Sequence, residues 1–324
     1  MITSIVLFAV GLVLLIKGGD WFVDGATGIA RRFNLPDIVV GATVVSIGTT
    51  LPEVMVSATG AMMGQGSMAY GNAIGSIICN TALIAAISVA VNPGPVNTKS
   101  MKMPVIFFFG SAAIYCVAAY LLGEFTRPMG LIMLVIFVVY LVITVRQGLK
   151  NPDAVEVEEA EEDSGKPKTL LQDVFWLILG AALIAVGADL LVEHGTIIAK
   201  GLGVPETVIA LTFVALGTSL PELVTTITSL KKGHASLGIG NVIGANVFNL
   251  VLVSGVAVTL APFEVPVGNL ILGHNASLVM DIPIMLTVMV LLTIPALATK
   301  KLHRWQGIVL LCIYAAFCIC QFAM

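Results

Sequence analysis

Charge is what this sequence lacks. Of its 324 residues only 11% are Asp, Glu, Lys or Arg, while 58% are hydrophobic and the mean hydropathy is +1.02. A soluble globular domain carries about a quarter charged residues, so that class is excluded and a polytopic membrane protein is expected. Histidines are few: His194, His234, His274 and His303 are scattered over span ends and loops, where interface roles are expected rather than metal ligation. The five cysteines, Cys79, Cys116, Cys312, Cys318 and Cys320, follow no metal-ligand spacing and no disulfide framework, and read as small hydrophobes. No Asp pair or Ser/His pair sits at matching membrane depth, which removes an intramembrane protease and leaves no enzyme chemistry to assign. Gly238, Gly240 and Gly244 have the wrong spacing for a nucleotide loop and open an apolar span. Met1-Ile-Thr-Ser has no basic stretch and no A-x-A-like cleavage site follows, so the first apolar run is expected to be retained. Nothing points to nucleic acid, a cofactor or an obligatory protein partner; the expected surroundings are the lipid bilayer.

Long apolar runs are what is there. Stretches of bilayer length fall near 2–23, 36–64, 69–91, 103–122, 129–146, 171–194, 205–230, 237–261, 277–299 and 305–323, which makes ten spans, five in each half. With the N-terminus outside, 13 Lys and Arg residues fall on the inner side, against Arg127 and Lys200 on the outer side. The positive-inside rule then puts both termini outside, in a plasma (inner) membrane. Residues 151–168, with seven acidic side chains, read as a solvated cytoplasmic linker between a first unit, 1–150, and a second, 169–324. A regulatory cation site in that linker is the sharper alternative.

The two units are copies. Shifting the chain by 169 positions lays residues 11–80 on 180–249 with 25 identities in 70 pairs, several times the chance level. Gly48-Thr-Thr-Leu-Pro-Glu53 meets Gly217-Thr-Ser-Leu-Pro-Glu222, and the run from Gly71 to Asn80 meets that from Gly240 to Asn249. Five spans per copy is an odd number, so the second copy enters the membrane in the opposite sense. The expected fold is an all-α membrane protein of ten transmembrane helices in two inverted-topology five-helix repeats, a plan shared by many secondary transporters.

Pro52 and Pro221 lie inside the second and seventh spans. Each lacks the N–H that would bond the carbonyl four residues back, so both helices are expected to break there, loosening backbone oxygens that include those of Ser46 and Ala215. Beside each break stand two hydroxyls, Thr49 and Thr50 or Thr218 and Ser219, and one carboxylate, Glu53 or Glu222. An acid at the bilayer centre costs on the order of 2.5–3.5 kcal/mol. No Lys or Arg lies at matching depth, Lys17 being nearer the inner end of its span, so the counter-charge is expected to be a cation. Carboxylate, hydroxyl, amide and carbonyl are hard donors, suited to calcium, sodium or magnesium. Asn72, Ser76 and Asn80 share one helix face, and Asn80 and Asn249 are expected to line the site. Gly71, Gly75, Gly240 and Gly244 read as positions of close helix packing. Asp20, Asp24, Asp189, Glu193 and Asp281 read as structural charges.

With these residues in view, the paired GTTLPE and GTSLPE motifs and their GN-x-I-G-x-x-x-x-N runs resemble the two α-repeats of the cation/calcium exchanger superfamily, closest to its prokaryotic sodium/calcium exchanger branch. The resemblance spans all ten helices. It implies Glu53 and Glu222 as shared calcium and sodium ligands, and Thr49 and Thr218 as calcium ligands through backbone oxygen. It further implies Thr50, Ser219, Ser76 and Asn80 as sodium or site-lining groups, with the carbonyls of Ser46 and Ala215 as additional ligands. The sequence departs from some members at Ala245, where a hydroxyl is lost, and at Asn249, where an aspartate accompanies potassium dependence in one branch. The expected function is antiport of Na+ against Ca2+ by alternating access, exporting calcium at the expense of the sodium gradient. Proton-coupled export of calcium or another divalent cation is the alternative, and a channel is disfavoured by a tight midplane site.

Overall fold

A computed structural model describes residues 2–150, 169–202, 217–267, 270–271 and 273–323. In chain order its long helices are α1 (Ile2–Arg32), α2 (Asp37–Met62), α3 (Gly66–Val91), α4 (Thr98–Leu122), α5 (Arg127–Lys150), α6 (Leu170–Gly201), α7 (Leu220–Lys231), α8 (Ala235–Leu260), α9 (Ser277–Thr299) and α10 (Arg304–Ala323). Among the described residues, all but α7 are long and apolar enough to cross a bilayer. The sequence of the expected seventh span continues upstream of α7, and its residues 203–216 lie outside the described residues, as does the linker 151–168.

Helix α1 runs past its apolar stretch to Arg32 because its last turns are anchored by charge pairs. Lys232 Nζ stands 2.6 Å from Asp24 Oδ1 and 3.9 Å from Asp20, and Arg32 reaches Asp173 of α6 at 3.3 Å. Asp20 and Asp24 are thus structural, as expected. His234 Nδ1 pairs with Asp37 Oδ2 at 2.6 Å. Of the cysteines only Cys79 is buried, while Cys312 and Cys320 are exposed on α10.

Glycine decides how the helices approach. A Cβ on Gly18 would stand 2.9 Å from the carbonyl oxygen of Gly180, and one on Gly187 would stand 2.8 Å from that of Gly11. Rising numbers on α1 meet falling numbers on α6, so the two helices cross antiparallel at backbone distance. In contrast, Gly240 meets Ile38 and Gly244 meets Ala42, so α2 and α8 run parallel. Gly130 of α5 packs on Gly255 and Thr259 of α8, and Gly307 of α10 packs on Ala86 and Ala90 of α3. These are matching positions of α8 and α3 under the shift of 169.

Two short strand pairs repeat the same relation at opposite ends of α4. Before it, Gly94–Pro95 pairs antiparallel with Lys301–Leu302; after it, Glu124–Phe125 pairs antiparallel with Phe263–Glu264. The core fills the space between with large apolar side chains, among them Phe22, Phe108, Phe125, Tyr140 and Phe248.

The expected break at Pro52 is not where the irregularity lies. Helix α2 continues through Pro52, although Gly48 necessarily lacks its usual donor there. The departure comes earlier, as a π turn over Gly41–Val45. A wide turn leaves carbonyls poorly bonded, and here side chains supply donors: Ser46 Oγ donates to Gly41 O at 2.8 Å, and Tyr140 OH donates to Ala42 O at 2.7 Å. In the second copy α7 begins at Leu220, with Pro221 in its first turn where a missing N–H costs nothing, and Thr218 and Ser219 lie in a turn before it.

Candidate functional site

Glu53 lies in the middle of α2 and Glu222 in the first turn of α7, and both are 0% exposed. The two carboxylates are within electrostatic reach of each other, with the hydroxyls of Thr49 and Thr50 beside Glu222. Neither carboxylate has a hydrogen-bond partner among the described residues. The same holds for the hydroxyls of Thr50 and Ser219 and for both amide atoms of Asn80 and Asn249. These six residues are three pairs of repeat mates: Glu53 with Glu222, Thr50 with Ser219, Asn80 with Asn249. A buried polar atom left without a partner costs on the order of 1–3 kcal/mol, more when charged. Six such side chains, mated in three pairs, form a candidate set of oxygen donors.

The helices aim these groups by the same device twice. Asn80 opens a π turn, Asn80–Ala85, in α3, and that turn packs against α7, which carries Glu222. Asn249 opens a π turn, Asn249–Val253, in α8, and that turn packs against the part of α2 that carries Glu53. Ser254 Oγ donates to Asn249 O at 2.9 Å, five residues back, as Ser46 does to Gly41. Such π turns recur at functional sites because they shift the register of the side chains beyond them.

A second layer holds the hydroxyl-bearing strings in place. Thr49 Oγ1 donates to Asn241 Oδ1 at 3.2 Å, and its repeat mate Thr218 Oγ1 donates to Asn72 Oδ1 at 3.4 Å. Asn72 and Asn241 are mates as well, so one contact across the two halves occurs twice. Asn72 Nδ2 also donates to Glu53 O at 3.2 Å and to Ser57 Oγ at 2.9 Å. Ser46 Oγ reaches Asn241 O at 3.0 Å. Ser76 is buried on α3 between Asn72 and Asn80, and Ala215 lies outside the described residues.

Sequence reasoning placed Asn72 on the right face without recognising Asn72 and Asn241 as braces. The available signal was their identity at the shared offset together with that of Thr49 and Thr218. It also missed a neighbouring cluster in which Asn246 Nδ2 donates to Thr81 Oγ1 at 2.7 Å and contacts Met289 Sδ at 3.2 Å. Asn246 has no polar mate, Ile77 being its counterpart, so the repeat gave no cue. The glycines are likewise unequal. Gly240 and Gly244 are buried against α2, whereas Gly71 is exposed and, among the described residues, no atom lies within 4 Å of a Cβ placed on Gly71 or Gly75.

Comparison with known proteins identifies the family. The family model described as sodium/calcium exchanger protein matches residues 3–146 and 173–323. The chain is 30% identical to the sodium/calcium exchanger MaX1 of Methanosarcina acetivorans over 356 residues, covering 99% of each. It is 33% identical to the inner membrane protein YrbG of Escherichia coli over 277 residues, covering 82% of each. Solved structures of the sodium-calcium exchanger NCX_Mj superpose with a TM-score of 0.79 at 32% identity, covering 97% of both chains.

Proposed function

This chain belongs to the sodium/calcium exchanger protein family, and on that premise we propose that it exports Ca2+ in exchange for Na+ by alternating access, with Glu53 and Glu222 as the shared ligands. The observation that carries the reading is the set of three buried repeat-mate pairs that have no hydrogen-bond partner among the described residues. Two carboxylates give the cavity a charge of −2, which one Ca2+ or two Na+ neutralise. The two ions then compete for one place, and coupling follows from that competition. Around the acids, Thr50, Ser219, Asn80, Asn249, Ser76 and the backbone oxygens of Thr49, Thr218, Ser46 and Ala215 complete the oxygen shell. Any sodium beyond two moves net charge, worth about 2.3 kcal/mol per charge per 100 mV.

The same proposal takes residues 1–150 and 169–324 as inverted repeats joined by a cytoplasmic linker, 151–168, in one transmembrane body with both termini outside. Supporting it are the antiparallel crossing of α1 with its mate α6 and the strand pairs at opposite ends of α4. In a cysteine-free background, single cysteines at positions 160 and 233 are expected to react with impermeant reagents from the cytoplasmic side, and one at 268 from outside. External labelling of 160 as readily as 268 would overturn the topology.

Binding tests the shared site directly: sodium is expected to displace radioactive calcium from purified protein competitively, whereas additive binding would refute a common site. Asn249→Asp tests its lining. A third carboxylate offers a bound monovalent ion on the order of 1 kcal/mol or more at an effective dielectric near 20. The variant is expected to change how calcium flux depends on potassium or pH at a fixed sodium gradient. Unchanged dependence in a folded, active variant would place Asn249 off the ion path.

A further inference from the structure

A cavity of about 270 Å³ lies apart from the buried acids, between the first turns of α3, the start of α9 and the end of α10. Its polar lining is Ser67, Tyr70, Ser277, Asp281 and Gln321. In the proposed topology these segments all lie at the outer face. Asp281 is the only charged residue in α9, and among the described residues it forms no ion pair. The Gln321 amide donates to its carboxylate, 3.1 Å from Oδ1. An amide supplies no counter-charge, and an acid inside a span costs free energy that a bare cavity does not offset.

The backbone is shaped to present it. Ser277–Asp281 forms a π turn that ends at this carboxylate. Tyr70, which lines the cavity, donates its OH to Ser277 O at 3.2 Å, which spends its proton and leaves the phenol oxygen free to act as an acceptor. Around Asp281 the cavity thus offers a carboxylate, a phenol oxygen, an amide oxygen and two serine hydroxyls. All are hard donors, and the volume exceeds that of a bare ion, leaving room for retained water. The mate of Asp281 under the repeat is Ala112, so this carboxylate belongs to one face only. Gly75 lines the cavity next to Ser76 in the sequence, on the helix whose Asn72 and Asn80 serve the buried site.

We propose that this cavity is an outer cation-capture site, holding a partly hydrated calcium ion on Asp281 where exported calcium leaves the central acids and from which calcium reaches them when exchange runs in reverse. Its role in capture rests on the exchange function above; the binding site itself does not. Tyr70 provides a readout independent of transport, because a lanthanide bound beside a phenol is sensitised by it. Terbium is titrated into detergent-purified Glu53→Gln/Glu222→Gln protein, which lacks the central acids, with excitation of tyrosine. Terbium luminescence that calcium displaces, and that Tyr70→Phe or Asp281→Asn abolishes, is the expected result. Luminescence unchanged by Asp281→Asn overturns the site. In otherwise wild-type protein in proteoliposomes, with exchange run in reverse by loading sodium on the side opposite to calcium, Asp281→Asn is expected to raise the half-saturating external calcium about three-fold or more, with Asp281→Glu close to wild type. Half-saturation unmoved by Asp281→Asn overturns the capture role, and if no sodium-driven flux exists at all, the exchange function falls while the terbium result still decides the site.

Discussion

Glu53→Gln and Glu222→Gln are each expected to abolish sodium-driven calcium flux while the protein remains folded. Either change halves the charge of a cavity in which both acids are fully buried and, among the described residues, unpartnered. Losing one charged ligand of a desolvated divalent ion costs on the order of 3 kcal/mol or more, about a hundred-fold in occupancy. The folded state does not suffer in proportion, because an amide replaces an acid whose burial was itself unfavourable. Thermal stability of the ion-free protein is therefore expected to hold or rise, while stabilisation by added calcium disappears. Calcium uptake into proteoliposomes and melting with and without calcium are the measurements. Near wild-type flux in either variant would remove that carboxylate from the site.

Gly244→Val is expected to be at least as damaging, through the fold. A Cβ at this position would stand 2.5 Å from Ala42 Cα and press on the Ser46 hydroxyl, in the segment where the π turn of α2 is held. Backbone on both sides cannot yield as a flexible side chain would, and overpacking of this kind typically costs 1–3 kcal/mol, occasionally more. Gly75→Val, the repeat mate, faces the outer cavity and is expected to leave thermal stability near wild type. Equal melting temperatures for the two variants would contradict the packing asymmetry.

That asymmetry marks the boundary of what the sequence could tell. Shared offset made the mated pairs Glu53 and Glu222, Thr50 and Ser219, and Asn80 and Asn249 legible, because chemistry demanded twice is written twice. It also led to the same packing reading for all four glycines, which is right for Gly240 and Gly244 only, because a duplicated sequence need not keep duplicated surroundings. Pro52 was legible as a missing donor, yet the helix runs through it, and the wide turn sits at Gly41–Val45. No residue type signals a π turn; the serine that satisfies its carbonyl looks like any serine in a helix. Tyr140, reaching Ala42 from another helix, was beyond any local pattern. Asp281 read as structural because the sequence shows its place in an apolar span but not the cavity in front of it.

Calcium flux into proteoliposomes with sodium, potassium and proton gradients imposed one at a time tests the central claim most directly. Calcium is expected to move uphill when, and in proportion as, sodium is supplied on the opposite side, with no uphill movement under a potassium or proton gradient alone and none in Glu53→Gln. Uphill calcium movement driven by protons without sodium, or sodium-driven movement that survives loss of Glu53, would contradict the account.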